Sequence, residues 1–88
     1  MNETELRRRI LEALRSVAPE VEPSEIQANV RLRDQIDIDS MDYLNFLIAI
    51  HQGLGVDIPE TAYGKLATID DIVAFVAGQR AEVAHGTV

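Results

Sequence analysis

The sequence has no cysteine, no tryptophan and only two histidines among its 88 residues. Without cysteine it can form neither a disulfide framework nor a thiolate metal site. No apolar run is long enough to cross a membrane, and the first residues lack the basic start and apolar stretch of a secretory signal. We therefore expect a cytoplasmic protein with a single domain over residues 1–84 and a disordered tail over residues 85–88.

The scarcity of histidine also argues against an enzyme. Ser40 and His51 would lie three helical turns apart, roughly 16 Å along a helix axis, so they cannot form a nucleophile and base. There is no glycine-rich phosphate loop, and the aspartates at positions 34, 37, 39 and 42 do not follow the pattern of a calcium loop. The sequence therefore predicts neither catalytic activity nor a metal site.

The net charge of −7 is unevenly placed along the chain. Residues 1–33 contain six bases and six acids, whereas residues 34–88 contain nine acids against Lys65 and Arg80. The field of this second part repels nucleic acid and attracts basic protein surfaces. The run from Arg7 to Arg9 is flanked by acids, so we interpret it as a solvated helix face and not as a nucleic-acid site.

The spacing of apolar residues predicts helices and no strands. A first helix begins near Asn2 or Thr4 and ends before Pro19, and Asn2 has the spacing of a capping box with Glu5. Residues 19–38 break the periodicity but are too rich in aliphatic side chains for a flexible linker. We expect an ordered loop that crosses the bundle, with short helical turns at residues 24–27 and 33–35.

Three helical segments are predicted after this loop. The second helix covers residues 40–52 and is ended by the glycines at 53 and 55. Its apolar surface, which includes Met41, Leu44 and Ile48, is wider than one buried stripe needs. Either neighbouring elements cover both sides, or part of this surface is left for a partner. One helical turn over residues 60–63 follows, and the last helix starts at Thr68.

The stretch from Ile36 to Leu44 places one hydroxyl, that of Ser40, at the start of the second helix. Asp39 and Ser40 are both good N-cap residues, and an Asp-Ser pair alone usually indicates only a cap. With Asp39 as the cap, Ser40 occupies the first helical position and points outward, and the helix dipole favours Asp42 in the first turn. The free N–H groups of such a helix start suit a phosphodiester on the serine oxygen.

The tetrapeptide Asp39-Ser40-Met41-Asp42 resembles the Asp-Ser-Leu-Asp attachment motif of acyl carrier proteins. Three more blocks resemble that family in the same order, at residues 32–36, 54–59 and 65–72. The resemblance implies a four-helix bundle of acyl-carrier type, with a long loop between helices 1 and 2 and a short third helix. Ser40 would carry 4'-phosphopantetheine, transferred from coenzyme A by a separate phosphopantetheinyl transferase, and the thiol of this arm would hold acyl groups as thioesters.

The resemblance also implies partners and the residues that meet them. The partners would be acyl-loading and acyl-using enzymes with basic docking patches, in fatty acid, polyketide or related biosynthesis, and the carrier would be a monomer. The positions that match partner-binding sites of the family surround the serine and continue along the second and third helices: Asp39, Met41, Asp42, Ile48 and Glu60.

The chain departs from fatty-acid carriers in the second helix. That helix commonly has acids where this chain has Asn45, His51 and Gln52, so docking by charge is weaker here. Met41 replaces the usual leucine, which conserves volume. We therefore predict a specialised carrier with its own set of partners.

Two other functions stay open at this point. One is a peptidyl- or aminoacyl-type carrier, which the sequence does not separate from an acyl carrier. The other is an unmodified helical adaptor in which Ser40 only caps a helix and the acidic face binds a basic partner. Glycines also weaken residues 56–66, which we interpret either as an opening for an acyl chain between helices two and three or as a loose loop beside a small core.

Overall fold

The computed structural model of the protein describes the backbone of residues 2–86 and the side chains of residues 2–79, and this part of the chain is helical without a strand. The α-helices are α1 (Glu3–Val17), α2 (Leu32–Gln35), α3 (Ser40–Leu54) and α4 (Ile69–Gly86). Two 3-10 helices lie between them, η1 (Pro23–Glu25) and η2 (Glu60–Lys65). The predicted all-α bundle is confirmed: α1, α3, η2 and α4 are its four helices, η2 is the short third one, and α2 is a single turn in the long loop.

Helix α1 lies at the centre of the packing. Of the two predicted starts, Asn2 and Thr4, the structure uses Asn2, whose side chain accepts a hydrogen bond of 2.8 Å from the N–H of Glu5. Leu6, Ile10 and Leu14, spaced four residues apart, are all buried. The helix packs against both α3 and α4, so this one apolar face joins the two other long helices.

The core consists of aliphatic side chains around one phenylalanine. Phe46 and Ile50 of α3 are fully buried, as are Ile72 and Val76 of α4. Each such side chain stabilises the fold by roughly 1.5–3 kcal/mol through the apolar surface that it removes from water. No polar or charged residue is buried within residues 2–79, so the interior rests on apolar packing.

The long loop before α3 is ordered by hydrogen bonds. The Gln35 side chain accepts from the N–H of Gln27 (2.9 Å) and donates to the carbonyls of Gln27 (2.8 Å) and Val30 (3.0 Å). The N–H of Leu32 donates to the carbonyl of Ala67 (2.9 Å), and the Leu32 side chain is fully buried. These bonds hold α2 against the segment that leads into α4.

Helix α4 begins with a reciprocal cap at the predicted residue. The N–H of Asp71 donates to Thr68 Oγ1 (3.0 Å), and the N–H of Thr68 donates to Asp71 Oδ2 (3.1 Å). The N–H of Asp70 donates to the carbonyl of Ala28 (3.0 Å). The start of α4 is therefore fixed both locally and by the long loop.

Several element boundaries differ from the sequence prediction. Helix α3 runs past Gln52 to Leu54, so Gly53 does not end it; Gly55 does, with φ 67°, a left-handed conformation that glycine adopts without strain. The short turns of the long loop fall at residues 23–25 and 32–35, and the third helix continues to residue 65. The predicted tail over 85–88 falls on the last two residues of α4 and on residues 87 and 88, which lie outside the described residues, so the domain boundary at 84 stays a prediction.

The arginine run of α1 is surrounded by acids. Arg7 pairs with Asp70 (3.0 Å), which links α1 to α4, and Arg8 pairs with Glu12 (2.7 Å) and Glu5. Arg9 lies 3.7 Å from a Glu5 oxygen. Exposed pairs of this kind contribute about 0–1 kcal/mol each. Carboxylate partners of this kind are expected for arginines on a solvated helix face, which is what the sequence predicts for residues 7–9.

Candidate functional site

The cap of α3 exposes Ser40. Asp39 has an extended backbone, and its side chain accepts a hydrogen bond of 2.8 Å from the N–H of Asp42. Asp39 is therefore the N-cap, and Ser40 is the first residue of the helix, as the sequence predicts. Ser40 is exposed, so its hydroxyl is open to another protein.

Arg33 makes a direct contact with this hydroxyl. Its Nη2 donates a hydrogen bond of 2.9 Å to Ser40 Oγ from the single turn α2. Within the described part of the chain no carboxylate lies within ion-pair distance of Arg33, whereas the neighbouring Arg31 is paired with Asp34 at 2.9 Å. Sequence reasoning did not assign Arg33 to the site. The sequence signals were its place in the family-like block at residues 32–36 and its position as the last base before the acidic second part of the chain.

The contacts of Ser40 limit its chemistry. Its hydrogen-bond partner among residues 2–79 is a cation that donates, and no side chain in that range accepts the serine proton. A guanidinium stays protonated at all ordinary pH values, so it cannot act as a base. Within residues 2–79 Ser40 therefore has no general base beside it, and we expect it to act as a nucleophile with a base that another protein supplies.

A groove of about 550 Å³ opens beside Ser40. It lies between α2, the first turns of α3 and the end of η2, and Ser40, Arg33, Leu44, Tyr63 and Leu66 contribute to its lining. Its volume falls within the range of roughly 300–1,000 Å³ that is typical of small-molecule sites. The exposed Ser40 hydroxyl therefore lies at the edge of the groove.

Tyr43 lines the same groove and carries a buried hydroxyl. Within the described residues this hydroxyl has no hydrogen-bond partner, and its ring packs edge-on against Phe46 with centroids 6.0 Å apart. Burial raises the pKa of Tyr43 to about 12, with a further rise from the carboxylate of Asp71 and an opposing effect from Arg33. Tyr43 is therefore a neutral side chain at physiological pH.

The predicted partner-binding residues lie in two regions. Asp39, Met41 and Asp42 surround Ser40 in the first turn of α3, and Met41 is 65% exposed. Ile48, two turns further along α3, is 40% exposed. Since residues 41, 44 and 48 are spaced by three and four, they share one helix face. Glu60 begins η2, is exposed and does not line the groove.

The other candidate residues for catalysis or metal binding are either in contact with the backbone elsewhere or not grouped together in the described part of the chain. His51 Nδ1 lies 2.5 Å from the carbonyl oxygen of Val56, beyond the end of α3. Among the described residues no group of three or more acidic or histidine side chains is placed to hold a metal ion. No helix in this part of the chain combines the length and the apolar character that a membrane span requires.

Known proteins resemble this chain over most of its length. A family model described as a phosphopantetheine attachment site matches residues 8–76. The acyl carrier protein of Zymomonas mobilis is 30% identical over 61 residues, which are 69% of this chain and 78% of that protein. The acyl carrier protein of Rhodococcus erythropolis is 32% identical over 65 residues (74% and 71%), and that of Thermosynechococcus vestitus is 27% identical over 79 residues (86% and 93%).

Proposed function

We infer the function from one premise, which is that this chain belongs to the family of phosphopantetheine-bearing acyl carrier proteins. It is a carrier and not a catalyst, and its cofactor is a covalently attached 4'-phosphopantetheine; both predictions are confirmed by the family. When bound, the arm supplies a thiol that holds acyl groups as thioesters. We propose that Ser40 is the residue of attachment.

The exposed hydroxyl at the capped start of α3 carries this proposal. For the transfer, Ser40 Oγ attacks the pyrophosphate phosphorus of coenzyme A that bears pantetheine. The Oγ–P bond forms, the P–O bond to adenosine 3',5'-bisphosphate breaks, and the serine proton passes to a base of the transferase. The hydrogen bond from Arg33 at 2.9 Å orients Oγ and stabilises negative charge that develops on it.

The test of attachment is the intact mass of the protein after incubation with coenzyme A and a phosphopantetheinyl transferase. We expect a gain of one phosphopantetheine for the wild type and no gain for Ser40→Ala. Ser24→Ala is the matched control, because Ser24 is also an exposed serine, and it should be modified like the wild type. No gain in a folded wild-type protein, across several transferases, would favour the unmodified adaptor.

We propose that the face formed by Met41, Leu44 and Ile48, called here the docking face, meets the partner enzymes. Two of its members are large apolar side chains left exposed, which is unusual unless another protein covers them. The exposed positions of α3 include Asn45, His51 and Gln52, none of which has an acidic side chain. Contact along α3 therefore relies more on apolar burial than on charge. This supports a specialised carrier with its own set of partners. We further propose that it serves fatty acid, polyketide or related biosynthesis as a cytoplasmic monomer, and that it meets transferases and acyl-handling enzymes with basic patches.

We propose that the groove receives the carried acyl group. It adjoins the attachment hydroxyl, and the η2 side ends in a long backbone hydrogen bond, from the Leu66 N–H to the Tyr63 carbonyl at 3.3 Å. Gly64 lines the groove with open space where a Cβ would stand and without a positive φ, so a larger side chain can be placed at the edge of the groove without strain.

Gly64→Leu tests this use of the groove, and Gly78→Leu, at an exposed glycine of α4 with equally open surroundings, is the control. Acyl loading should slow hydrogen exchange at residues 56–66 of the wild type and of Gly78→Leu, because a bound chain closes that region. Gly64→Leu should show no such slowing. Equal slowing in all three proteins, or none in the wild type, would place the acyl group outside the groove.

A further inference from the structure

We propose that Arg33 binds the phosphodiester that joins the arm to Ser40, and that this ion pair directs the arm along the groove. The inference rests on the proposed attachment at Ser40. In the unmodified protein the Arg33 guanidinium already lies 2.9 Å from Ser40 Oγ, the oxygen that becomes the bridging ester oxygen. The charged oxygens of the phosphodiester sit on the phosphorus bonded to Oγ, so they come within reach of the same guanidinium without a backbone movement.

The guanidinium has unused binding capacity of the right kind. It has five N–H donors in a planar fork that matches two phosphate oxygens, and its contact with Ser40 uses one of its nitrogens. Within residues 2–79 no carboxylate competes for Arg33 at ion-pair distance, whereas Arg31 pairs with Asp34 and Arg7 with Asp70. Arg33 is thus the cation beside Ser40 that can accept a new anion.

The negative charges around Ser40 mean that an ion pair with Arg33 would stabilise the modified site. A phosphodiester on Ser40 adds a negative charge next to Asp39 and Asp42, and like charges this close repel one another. Arg33 offsets that repulsion from the α2 side of the site. Because the pair lies at an exposed position, added salt should weaken it.

The position of Arg33 also sets a direction. Arg33 and Ser40 both line the groove, which includes Leu44 of the docking face but neither Met41 nor Ile48. A phosphate held by Arg33 therefore starts the arm toward Tyr63 and Leu66, away from Met41 and Ile48. Arg33 acts in this way as a positioning residue for the arm.

The test compares arm-bearing wild type with Arg33→Gln and Lys65→Gln. Lys65 is exposed, follows the groove residue Gly64, and makes no ion pair among the described residues, so its substitution removes the same charge without touching Ser40. Two signals are read by NMR: the ³¹P shift of the phosphodiester, and nuclear Overhauser effects from the geminal methyls of the arm to Tyr63 and Leu66. We expect Arg33→Gln to move the ³¹P resonance and lose the Overhauser effects, and Lys65→Gln to retain both.

A second measurement needs no variant. In the wild type, loading the arm should shift the Arg33 Nε–H resonance, and raising the salt concentration should reverse that shift. The inference would be overturned if Arg33→Gln left the ³¹P shift and the Overhauser effects unchanged. It would also be overturned if the Arg33 Nε–H resonance of the wild type did not shift when the arm is attached. Intact mass measured on the same samples separates this outcome from failure of the proposed function, because a protein that gains no arm fails at the earlier step.

Discussion

Replacing Asp39 separates its role in folding from its role in binding. Asp39 accepts a hydrogen bond of 2.8 Å from the N–H of Asp42 and places a negative charge at the start of α3. Asp39→Ala removes both, at about 1 kcal/mol for the cap and about 0.5 kcal/mol for the charge near the helix dipole. Asp39→Asn keeps an oxygen acceptor of equal capping quality and loses only the charge, about 0.5 kcal/mol.

These free energies predict distinct melting temperatures. For a domain of this size 1 kcal/mol corresponds to roughly 4–8 °C, so Asp39→Ala should lower the midpoint by roughly 6–12 °C. Asp39→Asn should lower it by roughly 2–4 °C. Thermal unfolding followed by far-ultraviolet circular dichroism at low salt measures both, and urea unfolding gives the free energies directly.

Asp37→Ala is the control for loss of a nearby acid. Asp37 is exposed and accepts no hydrogen bond from the residues that the structure describes, so this variant should melt within a few degrees of the wild type. The capping account is refuted if Asp39→Asn melts as low as Asp39→Ala, or if Asp37→Ala does. With the cap retained, Asp39→Asn then reports through the KM of the transferase how much the charge alone contributes to docking.

Three further outcomes follow from single features of the structure. Ile48→Ser should raise the KM for the transferase several-fold. The free energy of unfolding measured in urea should change by no more than about 0.5 kcal/mol, since Ile48 is exposed. An unchanged KM would contradict the proposal that the docking face meets the transferase. Gly55→Ala should lower stability by about 1 kcal/mol in urea unfolding, because φ 67° strains a side chain, and Gly53→Ala, in the helix, should not. In Tyr63→Phe the remaining tyrosine is Tyr43, so ultraviolet titration should give its pKa of about 12. Because the unfolded chain releases this proton first, near pH 10, the free energy of unfolding should fall as pH rises from 10 to 12. Below pH 10 this group should not affect the free energy of unfolding.

Local features were predictable because they depend on neighbours in the chain. The caps at Asn2, Asp39 and Thr68 each use an acceptor three residues before the donor, and such spacing is visible in the sequence. The buried face of α1 follows from apolar residues spaced by four. The end of α3 was placed two residues early because a glycine inside a helix and a glycine that ends one look alike until φ is known.

The arrangement around Ser40 depends on parts of the chain that meet only after folding. The Ser40 hydroxyl and its helix start were predictable from residues 39–42. The contact with Arg33 was not, because it requires α2 to be held by Gln35, by buried Leu32 and by a bond to Ala67. Likewise the groove exists only where η2 returns to α3, which the spacing of apolar residues does not encode.

Short-range patterns, and motifs that keep their order, therefore specify the helices, their caps, the family and the exposed serine. Packing between distant parts of the chain sets which side chains surround that serine. It left Met41 and Ile48 exposed, buried the Tyr43 hydroxyl, and brought a cation without a carboxylate partner among the described residues to Ser40 Oγ. The physical reason is that burial and contact between distant residues follow from packing of the whole core, and no local pattern specifies them.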